Sequence, residues 1–116
     1  MNLLGKLIKE TIVIPMQATS KENAIQELLS HLQSLDILSA TIKLFKNIKE
    51  KEQIFTSSAG RGVAYPHATS IEINKLTCVL GISKDGIDFD SPDGHCCHLI
   101  LLTLSPSGYL FNLSIT

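Results

Sequence analysis

Apolar positions at Ala24, Ile25, Leu28, Leu29, Leu32 and Leu35 recur at the spacing of one helix face. They predict an amphipathic helix over 21–35, started by Ser20 as N-cap with Glu22 in its first turn and broken at Asp36. Ile42, Leu44, Phe45 and Ile48 repeat the pattern and predict a further helix from a cap at Ser39 to about Lys51. Its charges at Lys43, Lys46, Lys49, Glu50 and Lys51 then face solvent, and because Glu50 and Glu52 interleave with the lysines they make no basic patch. Upstream, Leu3, Leu4, Leu7 and Ile8 predict a short helix over 2–9, and Thr11 to Ile14 a short strand stopped by Pro15.

From Ile54 the period changes. Ile54 to Ser58 reads as a strand or loop edge, and Gly62 to His67 as a strand. Leu76 to Ser83 (LTCVLGIS) is a strong strand with a turn after it at Lys84-Asp85-Gly86. Ile87 to Asp90 alternates, and Ser91-Pro92-Asp93-Gly94 turns again. Cys96 to Leu104 (CCHLILLTL) is apolar enough for a strand buried on both faces, and Tyr109 to Thr116 starts another helix. Helices followed by strands in 116 residues predict one α/β domain over 1–116, a sandwich of helices on a mixed β-sheet.

Composition narrows the function classes. Ten basic residues against eleven acidic ones give a net charge of −1, which does not suit a nucleic-acid binder. No apolar run approaches the ~20 residues of a membrane span, and Lys6, Lys9 and Glu10 interrupt the apolar start. Three cysteines, two of them adjacent, make no disulfide framework, so a cytoplasmic protein without membrane insertion is expected.

The stretch Ala59 to Ala68 (AGRGVAYPHA) carries the candidate chemistry. Gly60 and Gly62 let backbone amides approach an anion, and Pro66 fixes an extended path that presents His67. The stretch has no GK[ST] and no GxGxxG opening a helix, so it is neither a P-loop nor a dinucleotide fingerprint. His95-Cys96-Cys97-His98 resembles a ligand cluster, but in a strand Cys96 and His98 face one way and Cys97 the other, without tetrahedral spacing. No metal is expected there, and Cys78 lacks the cationic setting of a nucleophile.

The longer stretch KEQIFTSSAGRGVAYPHA, Lys51 to Ala68 with its Pro-His step, resembles the active-site signature of the EIIA domains of the bacterial phosphoenolpyruvate-dependent sugar phosphotransferase system. The class is the fructose–mannitol one, which includes the nitrogen-regulatory EIIA proteins. Lys51-Glu52 stand where that family has Arg-Glu, Thr56-Ser57 invert its Ser-Thr, and Gly60 to His67 keep the rest in register. SKENAIQELLSHL and the strand ending LTLSP are similar to further family segments, so the likeness spans nearly the whole chain.

The resemblance implies a phosphocarrier in which His67 accepts a phosphoryl group from a histidine-phosphorylated, HPr-like carrier. His67 then passes it to an EIIB domain or a regulatory target, with no cofactor. It implies phosphate binding around Gly60, Arg61 and Gly62, charge balance from Lys51, and Tyr109 at the position of the family's second histidine as a phosphate hydrogen-bond partner. Arg61 and Tyr109 also fit a solvated loop charge and an aromatic packing residue. Lysine for arginine turns a two-pronged contact into a point charge. By the same resemblance the chain stops at Thr116 short of the family's C-terminal helices, leaving strand 96–104 partly uncovered and inviting association. These departures keep a second reading open, an interaction or regulatory module with the EIIA fold that has lost efficient transfer.

Overall fold

The computed structural model describes residues 11–107; the expected helix over 2–9, the helix start at 109–116 and Tyr109 lie outside them. The elements are β1 (Ile12–Val13), α1 (Lys21–Ser34), α2 (Ile42–Ile54), β2 (Ser58–Gly60), β3 (Val63–Ala64), β4 (His67–Ser70), β5 (Thr77–Ile87) and β6 (Cys97–Pro106). They form a mixed sheet in the order β1-β5-β6-β3-β2, with β4 also paired to β6. No helix among the described residues is long and apolar enough to cross a membrane.

Helix α1 follows the hydrophobic pattern closely. Ser20 Oγ accepts the Asn23 amide at 3.2 Å, and Ala24, Ile25, Leu28, Leu29 and Leu32 are all buried. The helix ends where Asp36 takes a left-handed φ of 59° and the Ile37 amide returns to Leu32 O at 3.0 Å. Helix α2 departs from expectation at both ends. Ser39 is not its cap, because residues 37 and 38 fold back onto Leu32 and the helix begins only at Ile42, after Thr41. Ile42 is 79% exposed, and the buried stripe is Leu44, Ile48 and Glu52. The helix also runs past Lys51 to Ile54, so Ile54 is no strand residue.

Strands β5 and β6 are the spine of the sheet, antiparallel with Leu80 opposite Leu101. The turn expected at Lys84 to Gly86 is absorbed into β5 as an irregularity between Ile82 and Ile87. There Gly86, at φ +87°, donates its amide to Ser83 Oγ. The helix-facing core joins Leu28, Leu29 and Leu32 of α1 to Val79, Phe89, Ile100, Leu102 and Leu104. A smaller cluster holds Leu76, Cys78 and Leu101 with Tyr65 and Leu80. Strand β6 is buried from Ile100 to Ser105 and exposed at His98 and Leu99, so its burial on both faces covers only the second half.

The expected strand from Gly62 to His67 is present as β3 and β4, which are one path along β6. Val63 lies opposite Leu99, Ala64 opposite Ile100, His67 opposite Thr103 and Ala68 opposite Leu104, in an unbroken parallel register. The gap is at Pro66, which has no N–H to give, while its carbonyl still accepts the Thr103 amide at 3.1 Å.

Candidate active site

Residues Ala64, Pro66 and Ala68 are buried, and the alternate positions Val63, Tyr65 and His67 are not. The period of two therefore carries His67 outward at the start of β4 while its neighbours anchor the strand. Its Nδ1 lies 3.4 Å from Tyr65 O. A carbonyl only accepts, so a hydrogen bond here requires the proton of the neutral imidazole on Nδ1, the tautomer that leaves the Nε2 lone pair to a reacting partner.

His67 shares a cleft of about 330 Å³ with the end of α2 and the segment that follows it. The lining residues are Lys51, Glu52, Ile54, Phe55, Thr56, Ser57 and His67. Lys51 is exposed in the last turn of α2 and has no ion-pair partner among the described residues, so its charge is available to an anion in the cleft. Ile54 and Phe55 are 73% and 81% exposed, which gives the cleft an apolar rim. A larger cavity of about 480 Å³ at the start of α1 contains the Lys21–Asp90 salt bridge, does not reach His67, and meets the cleft only at Glu52.

The glycine turn is placed differently from its expected role. Gly60, Arg61 and Gly62 all take positive φ, at 84°, 58° and 79°, which explains both glycines. Yet the Gly60 amide donates to Ser58 Oγ at 3.2 Å, and the Arg61 amide to Asp93 Oδ2 at 2.9 Å. Those two main-chain donors are engaged inside the protein, and neither Arg61 nor the glycines line the His67 cleft. Of the residues expected to meet phosphate, the structure brings Lys51 to His67 and holds Gly60, Arg61 and Gly62 in a turn tied to the 91–95 loop.

Two residues in this region have roles that the sequence reading did not assign, although Glu52 stood in the motif beside Lys51. Glu52 is 7% exposed and accepts both the amide and the hydroxyl of Ser57, at 3.2 and 3.1 Å. The signal was its place four residues after Ile48 and eight after Leu44, hidden by the surrounding charges. Asp93 bonds two amides, Arg61 through Oδ2 and His95 at 3.1 Å through Oδ1, and these hold its carboxyl below the ordinary aspartate value.

The His-Cys-Cys-His run separates as the strand geometry requires. Cys97 is buried against Ser58 and Ser91, whereas Cys96 and His98 are exposed, with His98 Nδ1 at 2.9 Å from Ser83 O. Among the described residues no three His, Cys, Asp or Glu side chains converge as metal ligands.

Residues 6–109 match the family described as phosphoenolpyruvate-dependent sugar phosphotransferase system, EIIA 2. The fructose-specific EIIABC component of Bacillus subtilis is 30% identical over 108 residues, covering 93% of this chain and 17% of that protein. A nitrogen regulatory protein of Bradyrhizobium diazoefficiens is 30% identical over 99 residues, covering 85% of this chain and 64% of its own length. The chain thus spans less than two thirds of either relative. The crystal structure of nitrogen regulatory protein IIA-Ntr from Neisseria meningitidis superposes with a TM-score of 0.82 at 27% identity. That likeness covers 92% of this chain and 73% of the other.

Proposed function

The chain belongs to the EIIA 2 family of the sugar phosphotransferase system, and from that membership we propose that it is a phosphocarrier with His67 as the residue that bears the phosphoryl group. The observation that carries this reading is the pairing of an outward imidazole, its Nδ1 turned to Tyr65 O, with the uncommitted cation of Lys51 in one cleft.

In this reading a phosphohistidine carrier protein docks on the apolar rim and presents its phosphorus to His67 Nε2. The Nε2 lone pair forms the new N–P bond as the donor's N–P bond breaks, and the donor leaves as a neutral imidazole. The Nδ1–H stays on Tyr65 O throughout, so no proton moves on His67. Transfer of this kind depends mainly on alignment and on charge compensation at the equatorial oxygens. Lys51 supplies one such charge. Reversal onto an EIIB acceptor or a regulatory target discharges His67.

Both downstream uses have support among the relatives, one named as a fructose-specific component and another as a nitrogen regulatory protein. The site meets phosphate and protein surfaces, so it selects no sugar. Incubation with a labelled phosphohistidine carrier tests the reading: a stoichiometric acid-labile label supports it, and label that stays wholly on the donor replaces it with the interaction-module reading.

A further inference from the structure

Glu52 is an acid in a place where the fold calls for a hydrocarbon. Leu44, Ile48 and Glu52 are the buried stripe of α2, one residue per turn, and the first two pack into the core. Burying a carboxylate there is costly, and no ion pair to Glu52 exists among the described residues. What it does have is Ser57: Oε1 takes that residue's amide at 3.2 Å and its hydroxyl at 3.1 Å. A leucine would satisfy the packing but could accept neither bond.

The connection continues beyond Ser57. Ser57 O accepts the Tyr65 amide at 3.0 Å, and Tyr65 O faces His67 Nδ1 at 3.4 Å. Helix α2, the 55–57 segment and the β3–β4 path are thereby linked in series from a buried carboxylate to the imidazole, with Glu52, Ser57 and His67 all lining the same cleft. The last contact in this series is the one that a proton on Nδ1 makes.

We infer that Glu52 is a positioning residue for His67, fixing the Nδ1–H tautomer and the ring's aim through Ser57 and Tyr65 and so setting the rate of phosphoryl uptake; the kinetic part rests on the phosphocarrier reading. It touches neither phosphate nor donor.

The test compares wild type with Glu52→Leu, Glu52→Gln and Ser57→Ala in the full chain, each first shown to be folded by circular dichroism. Glu52→Leu continues the apolar stripe and removes the acceptor without opening a cavity. Imidazole ¹H–¹⁵N correlations, recorded about two pH units above the usual imidazole value, read the neutral tautomer of His67. Uptake from a phosphohistidine carrier is measured as kcat and KM. Glu52→Leu is expected to move His67 towards the Nε2–H form and to lower kcat on the order of tenfold, with KM for the donor little changed. Glu52→Gln keeps an acceptor oxygen and recovers most of both losses, and Ser57→Ala, which removes one of the two bonds, falls between.

A folded Glu52→Leu with the wild-type tautomer and wild-type kcat overturns the inference. Wild type that takes no phosphate overturns the phosphocarrier reading instead. The tautomer comparison, which needs no transfer, then decides the Glu52–His67 relation alone.

Discussion

Asp93 Oδ2 accepts the backbone amide of Arg61 at 2.9 Å, which ties the glycine turn between β2 and β3 to the loop before β6. Arg61 sits at a φ of 58°, a conformation that a non-glycine residue adopts at a cost, and the Asp93 bond is what holds it there. With His95 N on the other oxygen, one carboxylate fixes both loops.

That arrangement makes a prediction about pH. The carboxyl of Asp93 titrates below its ordinary value because the Arg61 and His95 amides favour the ionised form. A group whose native value lies below its unfolded one adds stability above the unfolded value, near ~3.9, and loses it as pH falls through the native value. Asp93→Asn is therefore expected to melt below wild type at neutral pH, with the difference closing in strongly acid solution. Thermal melts of both proteins across that range check it; a gap that is constant with pH contradicts the assignment.

Gly81 makes a second prediction, on packing. A Cβ at this position would stand 2.3 Å from Met16 Sδ and 2.9 Å from Leu28 Cδ2, so the missing side chain is what lets α1 and the 16–18 segment close on β5. Gly81→Ala is expected to destabilise the fold by about 1–3 kcal/mol, the usual result of overpacking a filled core. Urea titration measures this directly, and an unchanged midpoint would mean that Met16 moves aside without cost.

Much of this architecture was legible from periodicity. The α1 face and its Ser20 cap, the strands β5 and β6, and the split of Cys97 from Cys96 and His98 all follow from spacing alone. The less legible parts depend on particular hydrogen bonds, most of them local, that hydrophobic periodicity does not register. Helix α2 starts late because residues 37 and 38 return to Leu32, and Gly86, whose amide Ser83 Oγ accepts, lies inside β5 at the irregularity between Ile82 and Ile87. At the site, the motif pointed to His67 and Lys51. It did not show that Asp93 and Ser58 occupy the Arg61 and Gly60 amides, or that a residue within a charged run, Glu52, is buried. The Asp93 contact comes from a loop 32 residues away, the Ser58 contact from two residues back in the same turn, and Glu52 is a carboxylate standing in an apolar stripe.

Lys51 carries the third prediction. If its ammonium balances phosphoryl charge in the cleft, Lys51→Ala slows uptake by about one to two decades. That corresponds to the ~1.5–3 kcal/mol of one charge-assisted contact. Lys51→Arg keeps the charge, adds a planar fork, and matches or exceeds wild type. Pre-steady-state uptake from the same donor measures all three, and equal rates would return Lys51 to the solvent-facing helix end.

His67 is the centre of the account, and the four histidines of the chain provide its internal controls. His31 lies within α1, His95 follows the Asp93 loop, and the His98 ring is turned to Ser83 O, whereas His67 opens onto the cleft beside Lys51. The direct measurement is phosphoryl uptake from a labelled phosphohistidine carrier, with the labelled residue located by mass spectrometry in wild type, His67→Ala, His95→Ala and His98→Ala. The expected result is one acid-labile phosphoramidate on His67 that is lost in folded His67→Ala and kept in the other two variants. Label on another histidine, or label that persists in His67→Ala, would contradict it.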